Sequence, residues 1–164
     1  RAAFGSGVFA EGWAVYVTQV MLDEGFGDGD LALELVHWKF YLRCIANALL
    51  DAGIHADNRD EAWALNLMVG QSWQEEAEAK AKYLRARLTS TQLPTYFVGS
   101  MGCWEVEDRA RRAAGGPVAH VDGADLPGNR VETPGFSRPK HLRAVLSHGT
   151  PPIPLLERLL GLAE

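Results

Sequence analysis

With 164 residues, 47% hydrophobic and 23% charged, the chain has the size and composition of one folded domain and is not disordered as a whole. Its 16 basic residues against 21 acidic ones leave a formal net charge of −5, which lacks the basic field that a nucleic-acid groove requires. No run approaches the roughly 18 uncharged apolar residues of a membrane span; the best candidate, Leu31 to Leu50, is interrupted by Glu34, His37, Lys39, Arg43 and Asn47.

Helical periodicity dominates from Ser6 to about Ala114. The first helix is expected from about Ser6 to Glu24, with Ser6 as its cap. It is apolar on nearly every side, through Val8, Phe9, Trp13, Val15, Tyr16, Val17, Val20, Met21 and Leu22, as an interior helix is. Gly25, Gly27 and Gly29 with Asp28 and Asp30 predict a turn, and Asp30 a cap for a second helix from Leu31 to about Ala52, stopped by a left-handed Gly53. Asn58 with Glu61 reads as a variant capping box for a third helix from Arg59 to about Gly70. Ser72 with Glu75 repeats that spacing before a fourth, which runs to Leu88; its stretch Gln74 to Arg87 reads as a solvated face. Pro94 stands in the first turn of a fifth helix ending at Gly115-Gly116. The Gly- and Pro-rich stretch from Gly115 to Gly135 reads as a long loop, followed by helices over Pro139 to Ser147 and Ile153 to Leu162. The fold class is therefore all-α. Cys44 and Cys103 are too few for a disulfide framework and fit buried free thiols in a reducing compartment.

Among residues that could carry chemistry, Glu11 is the most informative. Ala14, Val15, Thr18 and Leu22 follow it at helical spacing, so it is either a carboxylate on an apolar strip, needing a proton, a partner or a metal, or an exposed first-turn acid favoured by the helix dipole. His55 follows Asp51 by four residues. It reads either as an aspartate-oriented histidine or as a helix-end histidine on free carbonyls. Arg43, Asn47 and Asp51 recur at four-residue spacing as a polar stripe, buried ladder or solvated. Tyr96, three residues before Gly99, is either a donor to a developing oxyanion or a core tyrosine. His37, His120, His141 and His148 show no ligand spacing and read as surface or packing residues. There is no HExxH, P-loop, dinucleotide fingerprint or G-x-S-x-G.

Four segments together resemble one bacterial family, domain of unknown function 885. Phe9-Ala10-Glu11-Gly12-Trp13-Ala14-Val15-Tyr16 resembles its "EGWA-x-Y" signature, and Asp51-Ala52-Gly53-Ile54-His55 its "D-x-G-x-H" element. Gln92 to Gly99 resembles its glutamine-to-"Y-x-x-G" element, and Leu146 to Leu156 its closing "L-x-x-G-x-x-P-x-x-L-L". That family is similar to helical zinc metallopeptidases such as thimet oligopeptidase, angiotensin-converting enzyme and carboxypeptidase Taq. The resemblance implies the C-terminal portion of a gluzincin-like helical fold. It implies zinc as cofactor and a peptide as substrate. Glu11 would be the third metal ligand, His55 and Tyr96 groups that bind substrate or stabilise the tetrahedral intermediate, and Asp51 the group that orients His55; Arg43 falls in the family's arginine-containing helix.

The two histidine ligands and general-base glutamate belong to an H-E helix upstream of the EGWA-like segment, and this chain begins at Arg1. The expectation is therefore a C-terminal part that is inactive alone and partnered by the N-terminal portion of the same protein, with neither nucleic acid nor membrane as partner. If the first helix is a core helix of a larger protein, an isolated chain is expected to expose an apolar patch around Val8, Phe9 and Trp13, and either to self-associate or to need the N-terminal portion. No secretory segment opens it, so the cytoplasm is the expected location. The alternative is a non-catalytic helical scaffold or interaction module.

Overall fold

A computed structural model describes residues 5–116 and 133–162. Every regular element among them is helical. The chain divides into two compact units, one formed by Arg1–Asp28 with Gly99–Glu164 and the other by Gly29–Val98.

In the first unit, α1 (Gly7–Asp23) begins where Ser6 accepts a hydrogen bond from the Phe9 amide at 3.2 Å. It ends in a left-handed Gly25, where Gly25 N–H reaches the Leu22 carbonyl and Phe26 N–H the Met21 carbonyl, each at 2.9 Å, so two otherwise orphaned carbonyls near the helix end are satisfied. Helix α5 (Thr95–Ala113) starts in the second unit and continues through the first, followed by α6 (Arg138–Ser147) and α7 (Ile153–Leu159). Phe9, Tyr16 and Val20 of α1 pack with Cys103, Trp104 and Val106 of α5, Val145 of α6 and Leu156 of α7. Trp13 stacks with Phe9, their ring centroids 5.7 Å apart. Of the residues expected to form an apolar patch, Phe9 is 1% exposed and Trp13 packs against the core, while Val8 is exposed. Helix α1 is apolar on most sides by sequence, yet its Met21 is exposed, because among the described residues its buried positions, Phe9, Gly12, Val15, Tyr16, Gln19 and Val20, lie along one face.

In the second unit, Asp30 caps α2 (Leu31–His55) by accepting from the Ala32 amide at 2.9 Å. The expected stop at Gly53 does not occur. Gly53 stays helical, and a Cβ there would lie 2.2 Å from the Trp63 ring, so the glycine serves close packing rather than a left-handed turn. Asp60, not Asn58, caps α3 (Glu61–Leu65), accepting from Trp63 N–H at 2.9 Å, while Asn58 adopts φ 53° before it. A π-helical turn, Asn66–Gln71, follows directly. Ser72 does not open the next helix: its hydroxyl donates back to the Leu67 and Met68 carbonyls and closes the π turn. Helix α4 (Glu76–Leu88) then runs to the α4–α5 connection. Its Ala79, Tyr83 and Ala86 are buried with Leu50, Ala64, Leu67, Met68 and Leu93, so the stretch expected to be solvated is amphipathic, with alanines making the close helix contacts.

Both cysteines are buried free thiols; burial pushes Cys44 up to about 11 and Cys103 up to about 12, so neither is a reactive thiolate. The Gly- and Pro-rich loop expected over 115–135 lies mostly outside the described residues, as does His120.

Candidate functional site

The polar stripe of α2 sorts into three separate engagements. Arg43 forms an ion pair with Glu78 of α4, and Lys82 approaches the same carboxylate at 3.5 Å. Asn47 is buried, and its Oδ1 has no hydrogen-bond partner among the described residues. Asp51 is buried and accepts the Thr91 amide through both oxygens, at 3.0 and 2.8 Å. Thr91 has φ 66°, in the left-handed region a β-branched residue rarely enters, so the carboxylate pins a strained turn of the α4–α5 connection.

His55 is held by the same connection. Its Nε2 donates to the carbonyls of Ala86 at 2.9 Å and Thr89 at 3.0 Å, and lies 3.8 Å from Asp51 Oδ1. Asp51 and His55 therefore converge without the short aspartate–histidine hydrogen bond expected from their spacing. The backbone donors and acceptors at the end of α4 outcompete it, because each is otherwise unsatisfied. With Nε2–H so used, Nδ1 of the partly exposed ring is the nitrogen left for another group. Replacing Asp51 by Ala should cost about 2 kcal/mol, the usual value of hydrogen bonds to a charged group. Asp51→Asn, which keeps one acceptor, should fall between, as read from urea unfolding midpoints.

Tyr96 sits in the first turn of α5, half-buried, with the Gln92 amide donating to its hydroxyl at 3.4 Å. Glu11 is half-buried on α1, in the other unit. The residue beside it, Gly12, is buried against α5: a Cβ on Gly12 would lie 2.0 Å from the Gly99 carbonyl carbon, and one on Gly99 would lie 2.0 Å from the Val8 carbonyl oxygen. The glycines of two family-like segments thus meet backbone to backbone, which no larger residue permits.

The sequence reading missed the most heavily charged core of the molecule. Glu107 of α5 is fully buried and accepts from the Tyr16 hydroxyl, from Arg111 Nη2 at 2.6 Å and Nε at 2.9 Å, and from Arg138 at 2.9 Å. Arg138 also reaches Glu24 at 3.3 Å and Asp23 at 3.8 Å, and the Arg111 guanidinium lies over the Phe136 ring at 4.4 Å. Burial raises the Glu107 pKa, but the Arg138 charge, the hydrogen bonds from Tyr16 and Arg138 and the Arg111 charge outweigh it and hold the carboxyl below its ordinary value. Burial, then the Glu107 charge and hydrogen bond, drive the Tyr16 phenol well above its own. The only local signal was the Glu107/Arg111 spacing on one helix. His37 and His141 are buried packing histidines, each lowered in pKa by burial.

Among the described residues no three His, Cys, Asp or Glu side chains gather as a metal-holding group, and no helix is long and apolar enough to cross a membrane. Glu11 is thus one donor of the kind a zinc site uses, without companions in this chain's described part.

No curated protein matches the chain. A solved structure from Shewanella oneidensis, described as "a putative lipoprotein of unknown function", matches with a TM-score of 0.77 and 29% identity over 95% of this chain and 25% of that one. The chain therefore spans about a quarter of that protein's length. The model of the family described as bacterial protein of unknown function (DUF885) matches residues 1–160. With the four signature segments inside that match and two of them joined at Gly12 and Gly99, the chain belongs to the DUF885 family.

Proposed function

We propose that this chain is the C-terminal helical part of a zinc-dependent, peptidase-like hydrolase. It would supply one metal-ligand carboxylate, from Glu11, and groups on the substrate side, from His55, Tyr96 and Arg43. The observation that supports the reading is the Gly12–Gly99 contact, which holds the helix turn bearing Glu11 against α5. Two imidazoles from outside these residues would complete the coordination. Bound zinc would supply Lewis acidity and a water whose pKa falls to about 7.

The chain's own groups have limited parts to play. Glu11 offers a carboxylate oxygen. Tyr96 offers a phenolic proton to an oxyanion. His55 offers Nδ1, which accepts a hydrogen bond when the ring is neutral and donates one only when it is protonated. Asp51 acts on the turn at Thr91, which places the α4–α5 connection that His55 also grips.

Glu11→Gln in the full-length protein tests the reading. Zinc content and peptide hydrolysis should fall by about 100-fold, the upper range for losing a group that tunes or holds the metal. Unchanged zinc and unchanged turnover would leave the helical scaffold as the better account. The cytoplasmic placement remains part of the proposal, and fractionation of cells into cytoplasm and envelope tests it against the lipoprotein description of the Shewanella oneidensis relative.

A further inference from the structure

In the first unit a cavity of about 300 Å³ opens between α5, α6 and the turn after α7. Its volume stands at the lower end of the roughly 300–1,000 Å³ of small-molecule sites. Ala110 and Ala114 on α5, Ala144 on α6 and Leu160 and Leu162 after α7 make the apolar part of the wall. The helix side chains stop at Cβ there, which leaves the space open.

The polar part of the wall gathers at the start of α6, where Ser137, Lys140 and His141 line the cavity. Ser137 stands at the N-cap position, but its hydroxyl makes no capping hydrogen bond. His141 is 9% exposed, and its ring makes no hydrogen bond among the described residues. A ring nitrogen in so buried a place is left to a group that enters the cavity. The ring is held in position through Phe136: the two ring centroids are 5.7 Å apart, and the Arg111 guanidinium, bonded to Glu107, lies over Phe136 at 4.4 Å.

Charge decides which ligand fits. No Asp or Glu lines the cavity. Lys140 is exposed and forms no ion pair among the described residues, so it is an unmet positive charge in the wall. The positive end of the α6 dipole adds to it. The nearby guanidiniums do not enter this count, because Arg111 pairs with Glu107, and Arg138 with Glu107, Glu24 and Asp23. Burial, opposed by the Glu107 charge and joined by those of Arg111 and Arg138, lowers the His141 pKa, so the ring is uncharged at neutral pH and offers one N–H. An ammonium, an imidazole N–H and a hydroxyl are donors suited to an anionic oxygen. The alanine and leucine side chains offer a peptide group nothing to bond, so the rest of the ligand is hydrocarbon.

We propose that this cavity binds a small monocarboxylate with a hydrocarbon body, its carboxylate on Lys140, His141 and Ser137 and its chain among the alanines and leucines. Charge-assisted hydrogen bonds set the preference for acid over amide. Burial of the chain sets the preference for a longer acid over a shorter one. The site uses none of Glu11, His55 and Tyr96 and does not depend on the hydrolase reading.

The test titrates hexanoate, hexanamide and acetate into the protein at constant ionic strength. It follows the His141 ring resonances by NMR, assigned through the contact with Phe136. Hexanoate should shift them. Hexanamide should bind about tenfold more weakly, for want of the charge-assisted contact, and acetate, with almost no chain to bury, about 100-fold more weakly. Lys140→Gln and Ala144→Phe both change exposed residues and should leave the unfolding temperature unaltered. The first should erase the preference for acid over amide. The second, which puts a ring into the cavity, should weaken hexanoate binding by about tenfold. Equal binding of hexanoate and hexanamide overturns the proposal. So does hexanoate binding that both variants keep, or no His141 shift at about 50 mM hexanoate. Equal shifts with acetate and hexanoate mark a general anion effect and equally overturn it.

Discussion

Gly12→Ala should be the most damaging single-methyl change in the molecule, lowering stability by about 3 kcal/mol, the upper end for an overpacked core. The added carbon would meet the Gly99 Cα and carbonyl carbon and the Ser100 amide nitrogen at 2.0 to 2.4 Å. All three are backbone atoms on a helix, so no rotamer change relieves the clash, and α1 must move away from α5. The same displacement pulls apart the contacts of Phe9 and Tyr16 with Cys103 and Trp104. Gly7→Ala on the same helix is the control: a Cβ there meets nothing within 4 Å, so its stability should stay within about 0.5 kcal/mol or rise slightly. Thermal unfolding of the pair measures the difference. Equal effects would mean that α1 and α5 do not touch at these glycines.

Glu107→Gln should cost about 3–5 kcal/mol, because it leaves the buried guanidiniums of Arg111 and Arg138 without their carboxylate. The wild-type protein should show the same dependence through pH. The Glu107 carboxyl is held below its ordinary value in the fold, so the unfolded chain takes up its proton first as pH falls. Its stabilisation is complete above the unfolded value of about 4.3 and is lost as pH drops through the folded one. His141 works in the same direction at higher pH. Burial lowers its pKa, so the unfolded ring protonates first and stability declines as pH falls below about 6.5. Urea midpoints between pH 8 and 3 should therefore decrease in two stages, and Glu107→Gln should flatten the second. A midpoint independent of pH below 5 would remove Glu107 from the account.

These two sites show where a sequence is informative and where it stops. Ser6, Asp30 and Pro94 mark helix starts because each acts on backbone groups two to four residues away. Asn58 and Ser72 were misread for the same kind of reason: each carries a capping side chain, and a competitor a few residues off took the role. Asp60 caps α3, and the Ser72 hydroxyl turns back to the π-helical carbonyls. Gly53 looked like a stop because glycine permits one, and only the Trp63 ring, ten positions on, explains why it is glycine inside a helix. Asp51 and His55 were legible as a polar pair, but their partners, Thr91 and the carbonyls of Ala86 and Thr89, lie 31 to 40 residues away.

The sequence by itself determined an all-helical chain, the places where most helices begin, and the signature segments of its family. Those properties follow from forces that act within one or two helical turns. Tertiary structure alone decided that Glu107 is fully buried and that Tyr16, 91 residues away, and Arg138, 31 residues away, satisfy it. A buried charge is tolerable only if partners meet it at hydrogen-bond distance, and that meeting is set by how helices pack, which no local pattern in the chain encodes.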